Sequence, residues 1–193
     1  MPVEQRRDTL VQAALEIAIE DGVGAVTTRN VCARTNAHLS VFHYCFSGRG
    51  ELVDMMVREI SSRLNASFDL SRAQTLPDFI RHSSELLADE WSLAFTLYEL
   101  VVASARVEHD EGKEPRHFSS LTDAIELLVA GYAEQSGFRW AVDQRTVAQL
   151  IVTFLAGTGV GWISDHVGKP PTADQVATVD TFVQLIEGLQ IRD

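Results

Sequence analysis

Between His38 and Tyr44 the chain places two imidazoles, a hydroxyl and a phenol, at His38, Ser40, His43 and Tyr44, with no carboxylate among them. Such groups donate and accept hydrogen bonds. At helical spacing they project from one short rod, the shape that enters a DNA major groove and meets base edges. Other chemistry finds little to work with. There is no Gly-x-Ser-x-Gly elbow, no paired-cysteine motif, and no Ser, His and acid grouping that stands out from the composition. The glycines at 157, 159 and 161 neither follow a strand nor open a helix, so they do not read as a phosphate loop. His82, His109, His117 and His166 are spaced too irregularly for a compact metal site. No metal, cofactor or catalytic residue is expected, and the chain does not read as an enzyme.

Two short helices must position these groups. The first runs from Thr27 to Arg34. Thr27 can cap it, Val31 and Cys32 face inward, and Arg29, Asn30 and Arg34 face outward. Thr35, Asn36 and Ala37 then turn the chain, and Asn36 is the non-glycine residue that best tolerates a left-handed backbone. The second helix, about His38 to Tyr44, has Leu39, Phe42 and Phe46 available as inward anchors and is too short to stand alone in water. An apolar stripe at Leu10, Ala13, Ala14, Ile17 and Ala18, ended by Gly22, predicts a first helix that packs on this pair. Ser47 can cap a fourth helix, reaching about residue 66 with Val53, Met56, Val57, Ile60 and Leu64 inward. Arg49 near its start can reach a phosphate.

The run from Arg7 to about Ile60 resembles the DNA-binding domain of TetR-family transcriptional regulators. The matching positions are Ala14, Gly22, Thr27, Thr28, Val31, Phe42, Tyr44, Phe46, Arg49, Glu51 and Leu52, roughly the first third of the chain. The family's turn glycine is Asn36 here, its small recognition-helix residues are His38 and Val41, and the two tyrosines of its motif are His43 and Cys45. The scaffold positions therefore match, while the base-reading ones are particular to this chain. The expected DNA-binding residues are Thr27, Thr28, Arg29, His38, Leu39, Ser40, Val41, His43, Tyr44 and Arg49.

At 46% hydrophobic and 22% charged the 193 residues describe an ordinary globular protein. A net charge of -11 looks wrong for a DNA binder until it is divided along the chain. Residues 1–50 carry five basic and five acidic side chains, and the remainder 11 basic and 22 acidic. The negative charge thus lies outside the span of the expected reading lobe, which lowers non-specific DNA affinity and orients the molecule. Cys32 and Cys45, with no secretory signal in the opening residues, fit a reducing cytoplasm, and both read as buried structural thiols. The most apolar run, Leu150 to Ile163, is too short for a membrane span.

The remaining chain reads as helix throughout, without strand-type alternation. Thr75 can cap a fifth helix, 91–107 is apolar nearly all round and predicts a buried sixth, and 109–115 is a charged break. A seventh helix ends near Gly137, an eighth runs from Asp143 to about His166 and is stopped by 168–171, and Thr172 with Gln175 forms a capping box for a ninth. The expected fold is all-α with about nine helices: a helix-turn-helix lobe over 1–47 and a ligand-binding and dimerisation lobe over 48–193, with helix 48–66 linking them. The resemblance implies a ligand cavity in the second lobe, with Trp91, Phe95, Tyr98, Glu99, Val102, Phe118, Trp162 and His166 as candidates to line it. It also implies a dimer seam at the last two helices, with Phe154, Gly157, Gly161, Val179, Phe182, Val183 and Ile186 as candidates. Glu99, set among apolar residues, faces solvent, pairs with a base or meets a polar ligand group. The expected partners are double-stranded DNA, a largely apolar small-molecule effector and a second copy of the chain, and no membrane. The function so implied is a dimeric, ligand-responsive repressor at a palindromic operator. The alternative is a helical small-molecule-binding or enzymatic protein with a degenerate DNA lobe.

Overall fold

The computed structural model describes residues 2–69, 72–110, 117–166 and 172–192, with side chains throughout these spans except at 107–110, 117–120 and 163–166. The break expected at 109–115 and the stop expected at 168–171 lie largely or wholly outside the described residues, as do the side chains of Phe118 and His166. The helices are α1 (Val3–Asp21), α2 (Thr28–Arg34), α3 (Leu39–Cys45), α4 (Arg49–Ser67), α5 (Leu76–Asp89), α6 (Trp91–Asp110), α7 (His117–Ser136), α8 (Gln144–His166) and α9 (Ala173–Glu187). None of them, over the described residues, is long and apolar enough to cross a membrane.

By packing, the chain forms two compact units, residues 1–65 with 92–115 and residues 66–91 with 116–193. In the first unit α1 turns Leu10, Ala14, Leu15, Ile17 and Ala18 inward and ends at Gly22, whose φ of +84° is the left-handed backbone that glycine adopts without strain. A 3-10 turn, Val23–Ala25, carries the chain on to α2 and buries Val23, with Val26 buried just after it. Val31, Phe42, Phe46, Leu52, Met56 and Ile60 close the core, and α6 completes it with Leu100. Burying each of these large side chains is worth about 1.5–3 kcal/mol, and this offsets the cost of ordering two helices of seven residues each.

The second unit packs α5, α7, α8 and α9 around Ile80, Val129, Trp140, Val147, Ile151 and Val183. Thr75 caps α5 by accepting from the Asp78 N–H, and Thr172 with Gln175 forms the reciprocal capping box of α9, both as their spacing predicts. Gly137 (φ +68°) ends α7. The buried Trp140 indole N–H donates to the Val129 carbonyl at 3.2 Å.

Several expectations are corrected. A two-residue antiparallel pairing, β1 (Arg139–Trp140) with β2 (Gln190–Ile191), joins the segment after α7 to the C-terminal segment; pieces this short leave no alternation to read. α6 is not buried all round. Ala94, Thr96, Leu100 and Ser104 form its inward stripe, while Phe95 is 42% and Val102 63% exposed. Within its own unit α6 needs only one inward stripe. Leu121 and Leu128 of α7 and Val176 of α9 are exposed as well.

Candidate nucleic-acid interface

Thr27 begins the site. Its hydroxyl oxygen accepts from the Asn30 N–H at 3.1 Å, capping α2, and the hydroxyl proton stays available to donate. The Asn30 side chain ties the helix back to the Ala25 carbonyl at 2.9 Å. α2 ends at Thr35, and Asn36 takes φ +51°. The Ala37 N–H then returns to the Cys32 carbonyl at 2.9 Å, so the corner between α2 and α3 is hydrogen-bonded rather than loose.

α3 presents three faces. Phe42 and Cys45 turn into the core, with Phe42 1% exposed and edge-on to His43. Ser40 and Tyr44 lie four residues apart on one exposed stripe, and Leu39 and His43 on the next, beside His38 at the N-cap position. Leu39 is 54% exposed, which corrects its expected role as an inward anchor. In a helix of seven residues, Phe42, Cys45 and the following Phe46 already fill the seat on α1 and α4.

The arginines of this lobe divide into two sets, a distinction that their positions in sequence do not reveal. Arg34, expected on the outer face of α2, is held by Glu20 of α1 at 2.8 Å and by Glu16 at 3.5 Å. Hydrogen bonding from Arg34 keeps the Glu20 carboxyl below its ordinary value. Arg7 pairs with Glu51 and lies 5.3 Å above the Phe46 ring. Glu51 also accepts from the Ser47 N–H at 2.8 Å and the Ser47 hydroxyl at 2.9 Å. The Ser47 backbone bond, the Ser47 hydroxyl and Arg7, in that order, hold the Glu51 carboxyl below the usual range. Ser47, expected to accept as a cap, thus donates instead. Arg6, Arg29 and Arg49 make no ion pair among the described residues, and Arg29 and Arg49 are exposed. Thr28 and Val41 are half-buried.

Both cysteines are free and buried. Burial pushes the Cys32 thiol up, away from the thiolate that redox chemistry needs.

The other candidate residues spread through both units. In α6, Tyr98 is half-buried, with burial pushing its phenol up to about 12, and Glu99 is half-buried without an ion-pair partner among the described residues. Trp91 is half-buried. Trp162 of α8 is buried and its indole N–H meets no acceptor among the described residues, although a buried tryptophan N–H usually finds one. Of the candidate seam residues, Val179, Val183 and Ile186 turn into the second unit's own core. Phe154 and Phe182 stack on each other, with ring centroids 3.8 Å apart and planes 3° from parallel. Gly157 and Gly161 are exposed on α8, as are Leu150 at 44% and Val160 at 49%, and Leu185 of α9 is 65% exposed. Apolar spacing along the last helix is the same for a core stripe and a partner stripe.

No protein-family model matches the chain. A curated relative, the HTH-type nicotine-responsive transcriptional repressor HdnoR of Paenarthrobacter nicotinovorans, is 22% identical over 169 residues, covering 83% of this chain and 84% of that protein. Among solved structures, a transcriptional regulator from Rhodococcus sp. Rha1 superposes with a TM-score of 0.72 at 16% identity, covering 95% of this chain and 97% of that one. TylP, a TetR regulator from Streptomyces fradiae, gives 0.63 at 18% identity, covering 97% of this chain and 80% of that one.

Proposed function

We propose that this chain, which has the all-α fold of TetR-type transcriptional regulators, is a DNA-binding transcriptional repressor whose reading element is α3. The observation that carries this is the division of labour on a seven-residue helix: Phe42 and Cys45 anchor it, while His38, Leu39, Ser40, His43 and Tyr44 stand exposed. Leu39 at 54% and Tyr44 at 68% exposed add apolar surface beside these polar groups, a combination that suits contact with base edges. Arg29, Arg49 and Thr27 stand nearby in sequence to meet phosphates, and the N-terminus of α4 adds backbone N–H groups. Residues 1–47 supply the reading function and 48–193 the control and assembly functions, although α4 and residues 92–115 pack with the former.

One such helix reads few base pairs, so the chain acts as a homodimer on a two-fold operator. The exposed apolar surface at Leu150, Val160 and Leu185, with Gly157 and Gly161, supports this. A side chain added at either glycine meets nothing in the same chain within 4 Å, so a second backbone has room to approach. The effector is an organic molecule carrying a hydrogen-bond acceptor, which Trp162 would meet. The relative's response to nicotine favours the same class of ligand. Effector binding shifts the population toward a helix spacing that no longer fits the operator.

The test is binding of the purified protein to the DNA upstream of its own gene, against random duplex at moderate salt. Preference for the former, relieved by a small molecule that binds, supports the reading. Equal affinity for both sinks it.

A further inference from the structure

Val3 and Arg6 of α1 border a recess of about 460 Å³ whose other wall is Ser40, Val41 and Tyr44 of α3. Arg6 and Arg7 are adjacent but diverge by a helical step: Arg7 is taken by Glu51, whereas Arg6 is half-buried and makes no ion pair among the described residues. Among the described residues no carboxylate lines the recess. The Ser40 and Tyr44 hydroxyls, four residues apart on one stripe of α3, make no hydrogen bond among the described residues. A guanidinium and two hydroxyls facing one open volume, with valine on each side and no acid, suit an anion with several acceptor oxygens.

We infer that this recess is a clamp for one backbone phosphodiester of bound DNA, an inference that rests on the DNA-binding reading above. Arg6, Ser40 and Tyr44 grip the phosphate between α1 and α3. Because two of the three donors sit on the reading helix itself, the clamp fixes the depth and angle at which α3 enters the groove. Ser40 and Tyr44 then position rather than read, and base contact falls to the neighbouring stripe of Leu39 and His43.

The experiment uses the full chain and a duplex that the protein itself selects from a random pool, with an unrelated duplex as control. Arg6→Ala is expected to weaken binding to both by the same factor, about tenfold or more, and to flatten the dependence of affinity on salt by about one counterion per site. Arg6→Lys restores the salt dependence. Tyr44→Phe weakens both duplexes without changing the salt slope, and the double variant loses less than the product of the two, because both donors hold one phosphate. Unchanged far-ultraviolet circular dichroism and melting temperature guard against a folding defect. A loss confined to the selected duplex would overturn the inference by placing Arg6 on a base, and so would an unaltered salt slope or full multiplicativity. If inorganic phosphate shifts Tyr44 resonances while Arg6→Ala binds both duplexes as the parent does, the recess is a free-anion site and the inference fails. If no duplex is selected at all, it is the DNA-binding reading that has failed.

Discussion

Glu51→Gln is the sharpest probe of how the reading lobe is held. The carboxylate gathers the Ser47 N–H, the Ser47 hydroxyl and the Arg7 guanidinium, and so ties α1 to the start of α4. A glutamine keeps one acceptor oxygen, loses the charge, and turns its own N–H groups toward a donor. Hydrogen bonds to a charged group are worth about 1.5–3 kcal/mol. With the Glu51 side chain 32% and the Arg7 side chain 30% exposed, solvent screening reduces the expected loss to about 1–2 kcal/mol. In a chain of this size that corresponds to a fall in Tm of roughly 2–8 °C. The pH dependence adds a signature. The folded carboxyl sits below its ordinary value, so its contribution is fully present above the unfolded carboxylate pKa of about 4.3 and is lost as pH falls through the lower folded value. Urea unfolding of the parent and Glu51→Gln from pH 7 downward should show a constant gap to about pH 5 that then closes. A gap absent at pH 7, or one that persists undiminished to the lowest pH at which both proteins fold, would refute the reasoning.

Three other outcomes are expected. Phe42→Ala removes a ring that is 1% exposed and should cost about 3–5 kcal/mol, read as loss of the cooperative transition or a much lower urea midpoint. At Asn36, with φ +51°, glycine should match or exceed the parent in stability, whereas valine should lower it by about 1–2 kcal/mol; equal melting of both variants would remove the left-handed turn from the account. Leu185→Glu places a charge on the exposed face of α9 and should convert a dimer to monomer in sedimentation without unfolding it, and a parent that already sediments as a monomer would dispose of the proposed seam.

What the sequence revealed about this molecule was local. Thr27, Thr75 and Thr172 were recognisable as caps because a cap speaks to a residue three positions on, and Asn36 and Gly22 because their backbone demands are their own. The partners of the arginines were not legible. Arg34 meets Glu16 and Glu20 across 18 and 14 residues, and Arg7 meets Glu51 across 44, distances set only once α1 has packed. Which faces of α6 and α9 turn inward was not legible for a related reason. An apolar residue at helical spacing is equally suited to its own core, to a partner and to a ligand, so Val179 and Val183 could not be separated from Leu185 before the core existed. At Leu39 hydrophobicity does not bring burial, because α3 has enough anchors without it.

That division of the arginines yields a number. Counted by sequence, the first 50 residues offer five cations to DNA: Arg6, Arg7, Arg29, Arg34 and Arg49. Counted by structure, Arg7 and Arg34 are neutralised by carboxylates of α1 and α4, and to use either at a phosphate the protein would have to break a pair that shapes the lobe. A dimer with three available cations per chain should bind DNA with a slope of log Kobs against log salt of about -5, and one using all five per chain about -9. Titration of binding to any duplex from 50 to 200 mM salt separates the two. Arg34→Ala should leave the slope where it is, while Arg29→Ala and Arg49→Ala should each flatten it by about two units per dimer. A slope near -9, or one that drops with Arg34→Ala, would mean that the Glu16, Glu20 and Arg34 cluster opens on DNA, and that the charge available to phosphates is set by the complex rather than by the free fold.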